Sequence, residues 1–210
     1  MTPPRGSAIV VVSGLPRSGT SMAMRMLEAG GMALVADDLR AADDDNPRGY
    51  FEFEPVKHLH TRLHTRPDTD ADLAWLASAR GKAVKIISFL LTWLPETYDY
   101  RVLFMHRDLR EVVTSQETML LRRGESASGL GKSAAETIKI YEEHLAQVER
   151  FLARRACFTT LGVDYAAVLA NPRGEAARIG DFLGGRLDVA VMAAAVEPTL
   201  RRQRHAAGPR

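Results

Sequence analysis

Arg17, Ser18, Thr20 and Ser21 place one permanent positive charge and three hydroxyls within five residues, between Gly14 and just past Gly19. Such a set suits an anion, because the guanidinium supplies charge and the hydroxyls and loop amides supply donors. The loop offers neither the clustered acids or imidazoles of a metal site nor the apolar lining of a hydrophobic pocket. The elements that must position it lie on either side. Ala8–Val12 is an apolar run, β-branched at four of its five residues, as in a buried central strand. Gly14, Pro16 and Gly19 break that pattern, and Met22, Met26 and Leu27 then repeat at helical spacing. Strand, tight loop and helix put backbone N–H groups and the positive end of a helix around a phosphate-like group.

The loop is not a Walker loop. Gly14 and Gly19 have the correct gap, but Thr20 stands where the lysine belongs, and the basic residue, Arg17, lies inside the loop. Pro16-Arg17-Ser18-Gly19-Thr20-Ser21 instead resembles the phosphosulfate loop of the sulfotransferases, P-[KR]-[SG]-G-T-[ST], as found in the tyrosylprotein branch. Those enzymes move sulfate from 3'-phosphoadenosine 5'-phosphosulfate (PAPS) to a hydroxyl or amine and release 3'-phosphoadenosine 5'-phosphate (PAP). The resemblance implies that Pro16 to Ser21 bind the phosphosulfate end, with Arg17 also neutralising charge on the bridging oxygen.

The same resemblance extends along the chain. In sulfotransferases an Arg at the end of a strand and a Ser eight residues later clamp the 3'-phosphate. Here the apolar run Arg101–Met105 leads into His106, and Arg107 and Ser115 have that spacing. Asp108 or its neighbour is expected to cap the helix between them. The tail Val163-Asp164-Tyr165, then Pro172 and Phe182-Leu183-Gly184, is similar to the family's end, and puts Tyr165 with the nucleotide residues. Ala166 replaces a Glu common there. Arg201 and Arg202, with Arg204, could close on the 3'-phosphate as a basic C-terminal loop does in related enzymes.

The resemblance also implies a general base on the acceptor. In the tyrosylprotein branch a Glu just past the first helix does this, and an ungapped count from Arg17 reaches Asp37-Asp38, with Asp38 the first choice and Asp37 the second. Asn46-Pro47-Arg48-Gly49-Tyr50-Phe51-Glu52 recurs in bacterial relatives and keeps Glu52 and Glu54 as rivals. In cytosolic sulfotransferases the strand at Ala83–Ile87 reads K-x-H, with His as base. Lys85 is present here, but Ile87 occupies the His position. Lys85 either points to solvent at an edge or is aimed at the phosphate site, since a lysine is costly to bury without a partner.

Composition sets the bounds. The 210 residues suit one α/β domain, expected over 1–210 with mobile ends at 1–7 and 205–210. Net charge is +2, with a pI near 8.8, which gives no polybasic case for nucleic acid. Cys157 is the single cysteine, so no internal disulfide is available and a reducing cytoplasm fits. No leader and no apolar run near the ~20 residues of a membrane helix are seen. His58, His60 and His64 lack the glutamate of a zinc-binding HExxH pattern, so no metal is expected. A small-molecule or carbohydrate acceptor is expected as partner, and a homodimer is allowed.

The expected architecture is a three-layer α/β sandwich, a parallel sheet of four or five strands with helices on both faces, which the resemblance identifies with the P-loop-like sulfotransferase fold. Strands are expected at 8–12, 32–35, 83–87, 101–105 and 157–163. Helices are expected at 73–79, at 89–94 and over about 109–123, the last with Val112, Val113, Met119 and Leu120 inward. Another should run from a Ser133/Glu136 capping box to about 156, with Ile138, Tyr141, Leu145, Val148 and Leu152 in one core stripe. Two other readings stand beside sulfuryl transfer. A P-loop kinase or nucleotide hydrolase would need a loop lysine and a magnesium-binding Asp. A non-catalytic nucleotide-binding protein would keep the fold without turnover.

Overall fold

The computed structural model describes residues 7–37, 49–59, 73–122, 124 and 133–197. Its five strands are β1 (Ile9–Gly14), β2 (Leu34–Val35), β3 (Ala83–Lys85), β4 (Tyr100–His106) and β5 (Phe158–Asp164), all parallel, in the order β2-β3-β1-β4-β5. Parallel neighbours need crossovers, and helices supply them. The elements on these crossovers and after them are α1 (Thr20–Ala29), α2 (Glu54–Lys57), α3 (Ala74–Ser78), a 3₁₀ helix (Ser88–Trp93), α4 (Leu109–Arg122), α5 (Ala134–Ala153), α6 (Tyr165–Ala170), α7 (Pro172–Phe182) and α8 (Val189–Ala194).

β1 is buried from end to end because both of its faces are covered. Ile9 and Val11 join Val84, Val102 and Phe104 on one face, under Val56, Leu76, Leu91, Val148 and Leu152. Val10 and Val12 join Ala83, Leu103, Met105 and Val163 on the other, under Met24, Leu27, Val168, Ile179 and Met192. Each such aliphatic side chain contributes roughly 1.5–3 kcal/mol by leaving water. After β3 the chain passes to the opposite side of β1. The carboxyl end of β1 therefore lies where connections diverge, the place such sheets bind ligands.

The three-layer fold is the one expected, with local differences at element ends. The second strand shrinks to Leu34–Val35. The β3 ladder passes Lys85, since the Ile86 N–H donates to the Val12 carbonyl at 3.0 Å. The helix expected at 89–94 is a 3₁₀ helix over Ser88–Trp93, and Pro95 holds Leu94 in an extended conformation that ends it. The Ser133 helix stops at Ala153. In its stripe Val148 and Leu152 are buried, but Ile138 and Tyr141 are half-buried, as are Met119 and Leu120 on α4. Cys157 is buried, as its apolar surroundings lead one to expect.

The capping box is present in full. Ser133 Oγ accepts from the Glu136 N–H at 3.3 Å, and Glu136 Oε2 accepts from the Ser133 N–H at 2.7 Å. Ser133→Ala should lower stability by about 1 kcal/mol in urea unfolding, with no change in slope.

Candidate active site

The loop after β1 is shaped by three left-handed residues: Gly14 at φ 146°, Arg17 at 73° and Gly19 at 104°. A β-carbon on Gly14 would meet Ser18 Oγ at 2.5 Å and the Met105 carbonyl at 2.7 Å. One on Gly19 would meet Tyr165 Cδ2 at 2.6 Å. Both positions thus require glycine for space as well as for angle. Arg17 holds its positive φ with a side chain attached, a strain of order 1–3 kcal/mol. α1 begins directly at Thr20, with no side chain capping its N-terminus and no acid in its first turn. Its leading amides and partial positive charge face the loop. Ser18 Oγ is buried there and has no hydrogen-bond partner among the described residues.

Arg107 and Ser115, from the end of β4 and from α4, both meet this loop. Arg107 Nη1 donates to the Arg17 carbonyl at 3.0 Å, and Nε donates to Glu111 Oε2 at 3.0 Å. The guanidinium also lies over the Tyr165 ring, 4.4 Å from its centroid. Asp108 Oδ1 caps α4 by accepting from the Arg110 and Glu111 N–H groups at 2.8 and 3.2 Å. That cap sets the helix on which Ser115 comes round to the loop. Ser115 Oγ accepts from Arg17 Nε at 3.0 Å. Arg17, Arg107, Ser115 and Tyr165, separated by up to 148 positions in the chain, share one place.

Sequence reading missed three supports of this clamp. Glu111 is buried against Arg107, the two side chains being 3% and 8% exposed. Its signal was the i,i+4 spacing from Arg107 on a helix. Gln116 Nε2 donates to the Pro16 carbonyl at 3.0 Å, and Tyr141 Oη donates to Gln116 Oε1 at 2.7 Å. Gln116 carries no signal in the sequence, and the spacing of Tyr141 places it in the core stripe of its helix.

On the other side of β1, register places Lys85 opposite Val12. Its Nζ donates to the Tyr50 carbonyl and sits 5.9 Å from the Tyr50 ring centroid. Lys85 is half-buried, and a backbone carbonyl answers the cost of placing it there. The segment that brings Tyr50 is pinned at Asp37, whose N–H donates to the Glu52 carbonyl at 2.8 Å. Asp37 Oδ2 accepts from the Glu54 N–H at 2.6 Å. Glu52 Oε2 lies 3.4 Å from Lys57 Nζ, and Glu54 Oε2 lies 2.8 Å from the same ammonium. Hydrogen bonding to Glu54 is the chief cause that raises the Lys57 pKa above its ordinary value. Asp38, Arg201, Arg202 and Arg204 lie outside the described residues, as do His60 and His64.

A further polar pair stands at the end of β3. Ser88 Oγ, fully buried, lies 2.9 Å from His144 Nε2, and the Phe89 ring stacks on the imidazole at 3.9 Å with 13° between planes. Burial lowers the His144 pKa below the usual histidine value.

No known family profile matches the chain, and no curated protein matches it. Solved structures do. The sulfotransferase domain of a Synechococcus olefin synthase aligns over 99% of this chain and 93% of its own, at 16% identity and a TM-score of 0.52. A sulfotransferase from Mycobacterium tuberculosis aligns over 90% of this chain and 70% of its own, at 20% identity and a TM-score of 0.54. A retinol dehydratase solved with retinol and PAP aligns over 92% of this chain and 64% of its own, at 17% identity and a TM-score of 0.44. The chain has the fold of the first two.

Removing the Glu111 carboxylate leaves the positive charge of the buried Arg107 guanidinium without its ion-pair partner. Glu111→Ala should cost about 3–5 kcal/mol in chemical unfolding, against about 1 kcal/mol or less for loss of the half-exposed Glu175–Arg178 pair.

Proposed function

We propose that this protein transfers a sulfuryl group from PAPS to a hydroxyl or amine of a small-molecule or carbohydrate acceptor, within the cytoplasm. The observation that carries the reading is the convergence of Arg17, Arg107 and Ser115 on an uncapped helix N-terminus beside the orphaned Ser18 hydroxyl. Two guanidiniums, a buried hydroxyl without a partner among the described residues and a row of helix amides would together make a site for an anion. The sheet order and the likeness to sulfotransferase structures support the fold of the reading, and the loop sequence supports its chemistry.

PAPS would supply the sulfuryl group and leave as PAP. The loop from Pro16 to Ser21 would hold the 5'-phosphosulfate, with Ser18 Oγ gaining the hydrogen bond it lacks. Arg107 and Ser115 would hold the 3'-phosphate. Tyr165 would keep the Arg107 guanidinium flat and oriented through their stacking contact. Arg17 links the two halves, since its carbonyl anchors Arg107 and its Nε reaches Ser115. Lys85 stands on the strand next to the loop, and its charge there would favour developing negative charge on the bridging oxygen. Asp37 and Glu52 would line the acceptor side of the same rim. Arg201 and Arg202 remain with the reading as a basic arm over the 3'-phosphate.

Calorimetric titration with PAP, and with ATP plus magnesium as the control, tests this. PAP should bind and ATP should not compete. Arg107→Ala should weaken PAP by about ten- to hundredfold, the worth of one charge-assisted contact. Ser115→Ala should weaken it less. Arg107→Lys, which keeps charge but loses the fork, should fall between wild type and Arg107→Ala. Clear ATP binding without PAP binding would replace this reading with a kinase.

A further inference from the structure

Leu15 to Ser18 form a turn whose type is set by its backbone. The Ser18 N–H donates to the Leu15 carbonyl at 3.1 Å, which closes four residues. Pro16 stands at the second position, where its ring fixes φ at about −65°. Arg17 stands at the third, with φ 73°. A negative angle followed by a positive one makes this a type II turn. Types I and II differ chiefly in the peptide between those two residues, which turns over by roughly 150° from one to the other. A side chain at the third position favours type I, because the left-handed region is strained for residues other than glycine. Arg17 therefore needs a contact from outside the turn to hold the Pro16–Arg17 peptide as it is.

Gln116 supplies that contact. From α4 its Nε2 donates to the Pro16 carbonyl at 3.0 Å, and from α5 Tyr141 Oη donates to Gln116 Oε1 at 2.7 Å. The polarity of this relay is fixed. A carbonyl only accepts, so the amide NH₂ must face it; Oε1 then faces the phenol, which must donate. A trans peptide carries its C=O and N–H on opposite sides. Holding the Pro16 carbonyl towards α4 thus holds the Arg17 N–H on the other face of the loop. Turning the peptide over would put a carbonyl oxygen there instead. This hold is separate from that of Arg107, which takes the Arg17 carbonyl, one peptide further on.

We infer that Gln116 is a positioning residue for the 5' end of the nucleotide, with Tyr141 behind it: through the Pro16 carbonyl it keeps the Arg17 N–H, and not a carbonyl lone pair, presented to the anion. Turn amides beside a helix N-terminus gather round an anion, and a carbonyl repels one. This rests on the sulfuryl-transfer reading above, which gives Pro16 to Ser21 to the phosphosulfate. Gln116 acts on the nucleotide only through the loop.

The test compares PAP with adenosine 3'-phosphate, which lacks the 5' group, on the full chain. Calorimetry follows PAP, and NMR titration into the millimolar range follows the weaker ligand. Gln116→Ala should weaken PAP by about tenfold or more, and should move the adenosine 3'-phosphate constant less than twofold. Arg107→Ala should weaken both ligands. Tyr141→Phe removes one oxygen and should weaken PAP by about fivefold, the worth of one hydrogen bond. Beside Gln116→Ala it should weaken PAP no further, because the relay is already broken. Urea unfolding of each variant checks the fold, and Tyr141→Phe carries the test if Gln116→Ala does not fold. In nitrogen-15 NMR the Arg17 amide should shift on addition of PAP to the wild type, and should shift much less in Tyr141→Phe. Unchanged PAP affinity in both single variants, an equal loss for the two ligands, additive effects of the two substitutions, or an Arg17 amide indifferent to bound PAP would each overturn the inference. Failure of the wild type to bind PAP would instead overturn the sulfuryl-transfer reading on which it stands.

Discussion

The Arg107 guanidinium is the contact on which the site depends. It leaves the end of β4, donates to the loop at the Arg17 carbonyl, pairs with Glu111 on α4 and lies over Tyr165 at the start of α6. Four separately folded pieces therefore agree on one orientation through a single planar group. Lysine could not do this, because its point charge has no fork to divide among partners and no plane to stack. The Glu111 pairing is what makes the arrangement tolerable. A buried pair of this kind adds little net stability against an apolar alternative. What it provides here is a cation held ready, in a fixed direction, at a place where an anion is expected.

The loop carries the complementary constraint. Its turn is too tight for side chains at Gly14 and Gly19, and the strain it retains is concentrated at Arg17, a residue whose backbone and side chain both face the clamp. The buried Ser18 hydroxyl, without a partner among the described residues, and the uncapped start of α1 are costs of the same kind. Unmet donors are ordinarily removed by folding. Here they gather around one point, at the carboxyl end of the most buried strand, where the two layers of helices part. The rest of the sheet is arranged to hold that point rigid: β1 is flanked by β3 and β4 and covered on both faces.

The other side of β1 follows a different logic. Around the loop after β1, Gly14, Arg17, Ser18 and Gly19 lie close in sequence. Opposite it, Lys85 meets Tyr50, Asp37 meets Glu52 and Glu54, and Ser88 meets His144, and within each contact the two residues lie far apart in the chain. Parallel strands bring this about. Each strand end returns to the same edge after a long crossover, so the edge collects side chains from the whole sequence.

That difference explains what could be read in advance. Legible along the chain are the strand–loop–helix at Ala8–Leu27, a parallel sheet of four or five strands, the Ser133 cap and the spacing of Arg107 and Ser115 on one strand–helix unit. Each depends on local periodicity, on turn residues or on a spacing within one strand–helix unit. Only the tertiary structure decided that Arg17 meets Ser115, that Glu111 is the partner of Arg107, and that Gln116 and Tyr141 brace the loop. It also decided that Lys85 ends on a backbone carbonyl and that an imidazole stands beside β3 despite Ile87. Sequence patterns report which face of an element is buried. Which element lies across from that face depends on strand order and register, and these are properties of the assembled sheet.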